Sequence, residues 1–308
     1  MFDNSIRILN FDDSVVKQSK LLSRYAHEII DLRPLGPSVR LFMDAKARQA
    51  VLGRINSSPK NSINFLGSGD FHHISELLIS RFDEPISVID FDLHPDWDIL
   101  PPRYGCGSWV SPVLKRDNIA KFVLLGASST DIDSFSIQRG NLNSLRDNRV
   151  EIYPYAHKPS SVFLKKIPAN VSINIRSGAL FNKIYWDELK NKDLNNFMKE
   201  LLGRFRVKKV YISIDKDCLT SKFALTNWEE GLFSLDQLLL VLKLIKENTE
   251  IVAADITGEY SPILIKGLFK KFASYLDHPK KVKAQIISQA EVNAVNEETN
   301  LRIMQVLG

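Results

Sequence analysis

Residues 86–98 read ISVIDFDLHPDWD and join an apolar, β-branched run to a cluster of acids and one histidine. The apolar part is continuous rather than alternating, which is typical of a strand buried on both faces, as in a parallel sheet. Carboxylate and imidazole groups are costly to bury unless something compensates them. The stretch therefore predicts a buried strand whose end carries a specific polar site.

Further runs of the same kind lie along the chain, with helical segments between them: 62–67, 121–127, 150–156, 208–215 and 250–257. Apolar residues three and four apart, as in SLDQLLLVLKLIKEN at 234–248, indicate amphipathic helices, and Ser234 is a candidate N-cap. This alternation predicts an α/β fold, a single-domain three-layer α/β/α arrangement with a mainly parallel sheet. We interpret residues 1–308 as one domain, with 1–40 as a candidate peripheral N-terminal segment.

Composition limits the location and the partners that we expect. No apolar stretch approaches the roughly 20 residues that a membrane span needs, and the first residues lack the apolar core of a secretion signal. Two cysteines, Cys106 and Cys218, make no disulfide framework, and we expect them to be small buried residues in a reducing cytoplasm. The sequence therefore predicts a cytoplasmic protein that does not bind a membrane.

The net charge of +5 arises partly from a cluster of lysines late in the chain: Lys266, Lys270, Lys271, Lys280, Lys281 and Lys283. A basic face of this kind could bind nucleic acid. However, aromatic residues are not interleaved with the lysines to stack on bases, so we interpret the cluster as a solvated helix face. We therefore expect no nucleic-acid partner.

Polar residues follow several of the predicted strands at their carboxyl ends, where open α/β sheets bind ligands. Residues two apart in an extended chain point to the same side, about 7 Å apart. Asp92, His94 and Asp96 can therefore converge from one strand end, and Asp215 and Asp217 can do so from another. Oxygen and nitrogen ligands without sulfur suit a pair of hard or borderline divalent cations, so the sequence predicts a metal site.

The order of these motifs resembles that of the ureohydrolases, the family of arginase, agmatinase and formimidoylglutamase. GSGDFHH at 67–73, DLHPD at 92–96, SIDKDCL at 213–219 and EYSP at 259–262 stand in the family's order, over about residues 64 to 262. The resemblance implies an arginase-like fold and a binuclear manganese site with six ligands: His72, Asp92, His94, Asp96, Asp215 and Asp217. His73 stays the alternative to His72, because Phe71 separates Asp70 from both histidines.

The resemblance also implies an activity, the hydrolysis of a carbon–nitrogen bond in a small guanidine or amidine compound by a hydroxide that bridges two metal ions. Asp92 and Asp215 would bridge the ions, and Asp96 would orient the hydroxide. Glu259 would bind the guanidinium group of the substrate, so Asp96 and Glu259 are the catalytic candidates. Assembly into a homo-oligomer stays open.

The chain departs from the family pattern in residues 99–115. No histidine occurs between His94 and His157 to move a proton, and Trp109 stands near where small polar residues would be expected. Arg103 could meet the carboxylate of a free amino acid, and Asp131 or Asp133 its amine. The apolar and aromatic share of residues 99–115 nevertheless predicts that L-arginine is a poor substrate.

Two other functions stay open. The first is a catalytically altered metal-binding relative that acts through protein contacts, because the ligands are kept while the substrate loop differs. The second is a phosphohydrolase of the haloacid dehalogenase type, because VIDFDLHPD and ISIDKDCLT each resemble its nucleophile motif. That type needs only one such motif, so two copies together with histidines favour the dinuclear site.

Overall fold

The computed structural model describes residues 5–102, 104–278 and 288–308. Arg103 and the lysines at 280, 281 and 283 lie outside the described residues. The strands are β1 (Ser5–Asn10), β2 (Ala26–Asp31), β3 (Ile63–Ser68), β4 (Ile86–Phe91), β5 (Ile119–Gly126), β6 (Val150–Pro154), β7 (Ser160–Phe163), β8 (Ile173–Ser177), β9 (Phe181–Trp186), β10 (Lys209–Asp215) and β11 (Glu250–Glu259).

Eight parallel strands form the central sheet in the order β2-β1-β3-β11-β10-β4-β5-β6. A smaller antiparallel sheet, β7-β9-β8, is formed by the chain between β6 and α6. All six runs that the sequence predicted as strands are in the central sheet. The mainly parallel α/β fold is therefore confirmed.

The helices are α1 (Ser19–Arg24), α2 (Gly36–Val39), α3 (Ala45–Ile55), α4 (Ile74–Ile79), α5 (Val110–Val113), α6 (Leu194–Gly203), α7 (Leu235–Asn248), α8 (Leu268–Asp277) and α9 (Gln289–Leu307). Those of one layer, α1, α6, α7 and α9, pack on one face of the sheet, and α3, α4 and α5 pack on the other. Successive residues of β4 serve the two layers, with Val88 in one core and Ile89 in the other. None of the helices within the described ranges has the length and hydropathy to cross a membrane.

Local capping agrees with the sequence at α7. The Ser234 hydroxyl accepts the backbone N–H of Gln237, and the Gln237 side chain accepts the backbone N–H of Ser234. This reciprocal pair satisfies two backbone donors that the first turn leaves without helical partners. The predicted N-cap at Ser234 is confirmed.

The first 40 residues differ from the expected peripheral segment. Residues 5–10 and 26–31 are β1 and β2, and β1 pairs with β3 inside the central sheet. The side chains of Ile6 and Ile8 are buried, because β1 is covered on both faces. The segment is therefore part of the core architecture, although it stands toward one edge of the sheet.

The lysine cluster is also not wholly a solvated helix face. Lys270, on α8, is buried and donates hydrogen bonds to the backbone carbonyls of Ser38, Arg40 and Phe42. Burial lowers the pKa of Lys270 to about 8. This lysine therefore links α8 by hydrogen bonds to the end of α2 and the residues that follow it. Lys266 and Lys271 are exposed as expected.

Candidate metal centre

Three strand ends bring the predicted ligands together. The 3₁₀ turn Gly69–Phe71 follows β3 directly and presents His72, and the end of β4 presents Asp92. β10 ends at Asp215, and its own 3₁₀ turn, Lys216–Cys218, presents Asp217. Because these strands are parallel, their carboxyl ends lie at the same edge of the sheet, as the sequence predicted.

The first half of the site is built around His72. Its Nδ1 lies 3.0 Å from Asp92 Oδ2, 3.2 Å from Asp96 Oδ2 and 3.6 Å from Asp215 Oδ2. All four side chains are buried. One imidazole nitrogen therefore faces three carboxylates at distances suited to sharing a cation.

The second half is built around His94. Its Nδ1 lies 2.9 Å from Asp217 Oδ2 and 3.6 Å from Asp92 Oδ1. Asp92 thus turns one oxygen toward each histidine. The geometry matches the bridging role that the resemblance implies for Asp92.

Buried polar atoms in this cluster lack partners of their own. Within the described part of the chain, His72 Nδ1 and Asp92 Oδ2 make no hydrogen bond, although both are shielded from solvent. An unsatisfied buried polar group costs about 1–3 kcal/mol, and more when it is charged. The two atoms face each other, so a cation between them would satisfy both, and the residues present fit a metal site.

Burial and repulsion between the carboxylates of this cluster raise the pKa of several of them. Burial and the Asp92 charge raise the pKa of Asp96 to about 7 and that of Asp217 to about 6. Burial and the Asp217 charge raise the pKa of Asp215 well above its ordinary value. Divalent cations would relieve this repulsion, which is the usual reason why acids cluster in a protein interior.

The structure separates the two candidate histidines after β3. His72 faces the carboxylates, whereas burial and the neighbouring Lys270 ammonium lower the pKa of His73 to about 3. His73 is buried, and its ring nitrogens make no hydrogen bond with the described residues. The arrangement favours His72 as the ligand.

The second ring nitrogen of His72, Nε2, contacts a group of buried polar residues that lie within the central strands. His72 Nε2 lies 2.9 Å from Ser213 Oγ, and Ser213 donates to Asp255 Oδ1 at 2.8 Å. Because the serine gives its proton to Asp255, it accepts from the histidine Nε2–H. That leaves the Nδ1 lone pair directed at the carboxylates, as a metal ligand requires.

Asp90 also lies on the Nε2 side of His72, and it was not among the predicted ligands. It is buried, lies 3.7 Å from His72 Nε2, and forms a possible metal-binding group with His72 and Asp92. Within the described ranges its two oxygens make no hydrogen bond. The only sequence signal was its position two residues before Asp92, on the same side of β4.

Trp109 does not contribute to the substrate loop as its position suggested. Its side chain is buried, packs against His72, and donates its indole N–H to Asp96 Oδ2 at 2.8 Å. Asp96 itself has a left-handed backbone with φ 45°, which is uncommon for a residue with a side chain. Trp109 therefore holds a strained metal-ligand candidate in place.

Glu259 lies in a buried hydrogen-bonded cluster away from the pocket that opens onto the carboxylates. Its buried carboxylate accepts hydrogen bonds from Lys216, from Gln18 at 3.0 Å and from Asn300 at 2.7 Å. It is not among the residues that line the pocket above the cluster. The structure therefore places Glu259 in a buried ion pair with Lys216 rather than on the wall of this pocket.

A pocket of about 500 Å³ opens onto the carboxylates. Its walls include Leu100, Pro101 and Pro102 from the expected substrate loop, and Cys106, which is only partly buried. Trp228 and Glu229, from the loop after β10, form another part of the wall. Sequence reasoning missed these two residues, because no spacing pattern indicates which residues of an irregular loop turn inward.

The two acids proposed to meet a substrate amine are separated. Asp131 lines the pocket and lies 3.9 Å from Arg139, which lines it too. Asp133 instead pairs with His157 at 3.2 Å and Lys158 at 3.0 Å. Only Asp131 is therefore placed to contact a ligand.

Comparison with known sequences gives a partial family match. The profile of the arginase family matches residues 168–273. An uncharacterized protein of Thermotoga maritima is 28% identical over 202 residues, which cover 65% of this chain and 59% of that protein. The aligned part thus spans less than two thirds of the length of this curated relative.

Comparison with solved structures gives the fold over nearly the whole chain. Formimidoylglutamase from Bacillus subtilis matches with a TM-score of 0.60 at 13% identity, covering 98% of this chain and 86% of that one. A formiminoglutamase variant from Trypanosoma cruzi, whose structure contains Mn²⁺, matches with a TM-score of 0.53 at 11% identity, covering 98% and 92%. The chain therefore shares the fold of these two structures over nearly its whole length, and residues 168–273 match the profile of the arginase family.

Proposed function

We propose that the protein is a metal-dependent hydrolase that cleaves a carbon–nitrogen bond in a small guanidine or amidine compound. The observation that carries the proposal is the position of Asp92 between His72 and His94, with one carboxylate oxygen toward each ring. This arrangement suits two adjacent cations rather than one. The presence of Mn²⁺ in the related Trypanosoma structure supports manganese as the metal.

The six predicted ligands would hold two divalent ions: Asp96 and Asp215 lie beside His72, Asp217 lies beside His94, and Asp92 faces both histidines. When bound, the ions would supply Lewis acidity and lower the pKa of a water molecule toward neutrality. Asp96 would orient this water, because Trp109 fixes its carboxylate at the pocket floor. We also retain the cytoplasmic location that the cysteine content favours.

Metal analysis and product release test the proposal together. After reconstitution with manganese, we expect about two ions per chain, and Asp217→Ala should lower that content because it removes a ligand beside His94. A panel of L-arginine, agmatine, guanidinobutyrate, formimidoylglutamate and free guanidine should show turnover of at least one compound, measured as urea or the corresponding amide. One ion or none per chain would contradict the dinuclear site.

Within this panel we expect L-arginine to be a poor substrate. Leu100, Pro101 and Pro102 line the pocket where an α-amino acid needs polar partners. Leaving its charged groups unpaired costs several kcal/mol. Saturable urea release from L-arginine above all other compounds would contradict this expectation.

A catalytically altered metal-binding relative is the second candidate, and one observation favours it. Glu259, the residue that the resemblance assigns to the guanidinium group, is occupied by Lys216. Full metal loading without turnover of any panel compound would support this candidate. The arginase-like fold gives no support to the phosphohydrolase alternative.

A further inference from the structure

The carboxylate that the resemblance assigns to the substrate's cation is already neutralised by the chain itself. Lys216 and Asn300 bind Glu259 Oε1, and Gln18 binds Oε2. All four side chains are buried. Removing one partner from a buried ion pair leaves an uncompensated charge, so a substrate cation cannot displace Lys216 at low cost. The cation of a substrate must find another partner.

Glu229 is a carboxylate on the pocket wall beside the metal centre. Its Oε2 lies 3.4 Å from His94 Nε2, on the opposite side of the ring from Nδ1, which faces Asp217. Its side chain is 54% exposed, so a ligand in the pocket can reach it. Glu229 therefore stands next to the predicted ligands without being one of them.

The two pocket acids that are not predicted metal ligands, apart from Glu229, already have a cationic partner. Asp98 and Asp131 share Arg139, at 3.5 Å and 3.9 Å. Glu229 instead faces the imidazole of His94, and no lysine or arginine of the described residues pairs with it. A cationic ligand in the pocket can therefore pair with this carboxylate.

Trp228 supplies a flat surface next to that charge. Its indole N–H donates to Asp70 at 3.1 Å, and its ring packs against His94 and His278. These contacts fix the ring in the pocket wall. A planar cation can stack on an indole face while its N–H groups bind an adjacent carboxylate in a bidentate manner.

We propose that Trp228 and Glu229 form the cation-binding wall of the pocket, and that Glu229 binds the guanidinium or amidinium group of the substrate. This inference rests on the proposed function for the class of substrate, but it concerns binding and can be measured without turnover. It assigns to the loop after β10 the role that the resemblance gave to Glu259.

Calorimetric titration of the manganese-loaded protein with ethylguanidinium and ethylurea tests the wall, because the two compounds share a shape and differ in charge. The wild-type protein should bind ethylguanidinium about tenfold more tightly or better. Glu229→Gln should remove this preference while leaving ethylurea binding and manganese content unchanged. Trp228→Leu should weaken ethylguanidinium binding about threefold or more.

Two variants serve as matched controls. Glu230→Gln changes the neighbouring acid, which accepts the backbone N–H of Ser221 at 2.8 Å, and should leave the preference intact. The double variant Lys216→Met, Glu259→Gln, which removes both charges of the buried pair, should also leave the preference intact. A preference that survives in Glu229→Gln, or that disappears only in this double variant, would overturn the proposal.

A further outcome separates cation binding from support of His94. If Glu229→Gln loses manganese but regains the full preference at saturating manganese, Glu229 only positions His94 and the proposal is wrong. Turnover of the five-compound panel, measured in parallel, distinguishes failure of the wall from failure of the proposed function. A cation preference without turnover of any panel compound contradicts the proposed hydrolysis and supports the wall, whereas turnover without a preference overturns the wall alone.

Discussion

At the scale of single residues, several side chains of the site have two polar atoms that contact different partners. Asp92 turns one oxygen to each histidine, and His72 turns one nitrogen to the carboxylates and the other to Ser213. Asp96 likewise faces His72 while it accepts the Trp109 N–H. Such two-sided contacts fix the orientation of each ligand before a metal binds.

The contact between Trp109 and Asp96 gives a prediction at this scale. Trp109→Phe keeps most of the buried ring but removes the indole N–H, so we expect manganese affinity to fall about tenfold. Competition with a metal-sensitive chelator measures this affinity. Trp186→Phe is the control, because its N–H donates to Ser160, away from the site, at 2.9 Å. Unchanged affinity in Trp109→Phe would show that the bond does not hold Asp96.

Residue spacing predicted that the carboxylates of the candidate site lie close together, because side chains two residues apart in a strand point to the same side. Asp92 and Asp96 could be found in this way, and so could Asp215 and Asp217. Trp109 and Glu229 could not, because the direction of a side chain in an irregular loop depends on what packs around it. Glu259 was placed by its motif alone, and the motif could not reveal that the buried Lys216 occupies it.

At the scale of elements, the Lys216–Glu259 ion pair joins parts of the chain that are distant in sequence. Lys216 starts the turn after β10, and Glu259 is the last residue of β11. Gln18 precedes α1 and Asn300 lies on α9, so the pair connects two strand ends to these two helices. The cluster is a polar junction beneath the carboxyl edge of the sheet.

Breaking this junction should destabilise the fold. Lys216→Ala leaves the Glu259 carboxylate buried without its ammonium, which costs about 3–5 kcal/mol. Urea-induced unfolding of the metal-free protein measures the loss. The double variant Lys216→Met, Glu259→Gln should recover a large part of it, since no buried charge remains. A loss below about 1 kcal/mol in Lys216→Ala would show that water reaches the carboxylate.

The sequence predicted the inner elements better than the outer ones. Continuous apolar runs identify β3, β4, β10 and β11, because central parallel strands are buried on both faces. β2 lies at the edge of the sheet with a mostly exposed pattern, so its run carries no comparable signal. The run SPILIKGLFKKFASYL at 261–276 has apolar residues at helical spacing, yet α8 begins only at Leu268, after Pro262 and Gly267, where the backbone is not helical.

At the scale of the whole molecule, the candidate metal centre predicts that metal binding and folding are coupled. The candidate ligands come from three segments between residues 72 and 217, and their carboxylates repel one another without a cation. A metal that binds the folded chain and not the unfolded chain stabilises the fold by mass action. The metal-loaded protein should therefore be the more stable form.

We expect this coupling to appear in thermal unfolding. Manganese at 100 times its dissociation constant should stabilise the fold by about 2.7 kcal/mol for each site. For a chain of this length that corresponds to a rise in Tm of several degrees for two sites. Scanning calorimetry with manganese and with excess chelator measures the shift, and Asp217→Ala should show a smaller one. Equal Tm values under both conditions would contradict a folded-state metal site.

The order of strands in the sheet also determines when the site can arise during synthesis on the ribosome. β3, which leads to His72, and β4, which leads to Asp92, are not neighbours, because β11 and β10 lie between them. The two residues therefore reach their final separation only after the strand at 250–259 has emerged and paired with both β3 and β10. A nascent chain that stops before this strand carries every predicted metal ligand and still cannot assemble the centre. We therefore expect metal binding to be a late event that occurs only after most of the chain has been synthesised and folded.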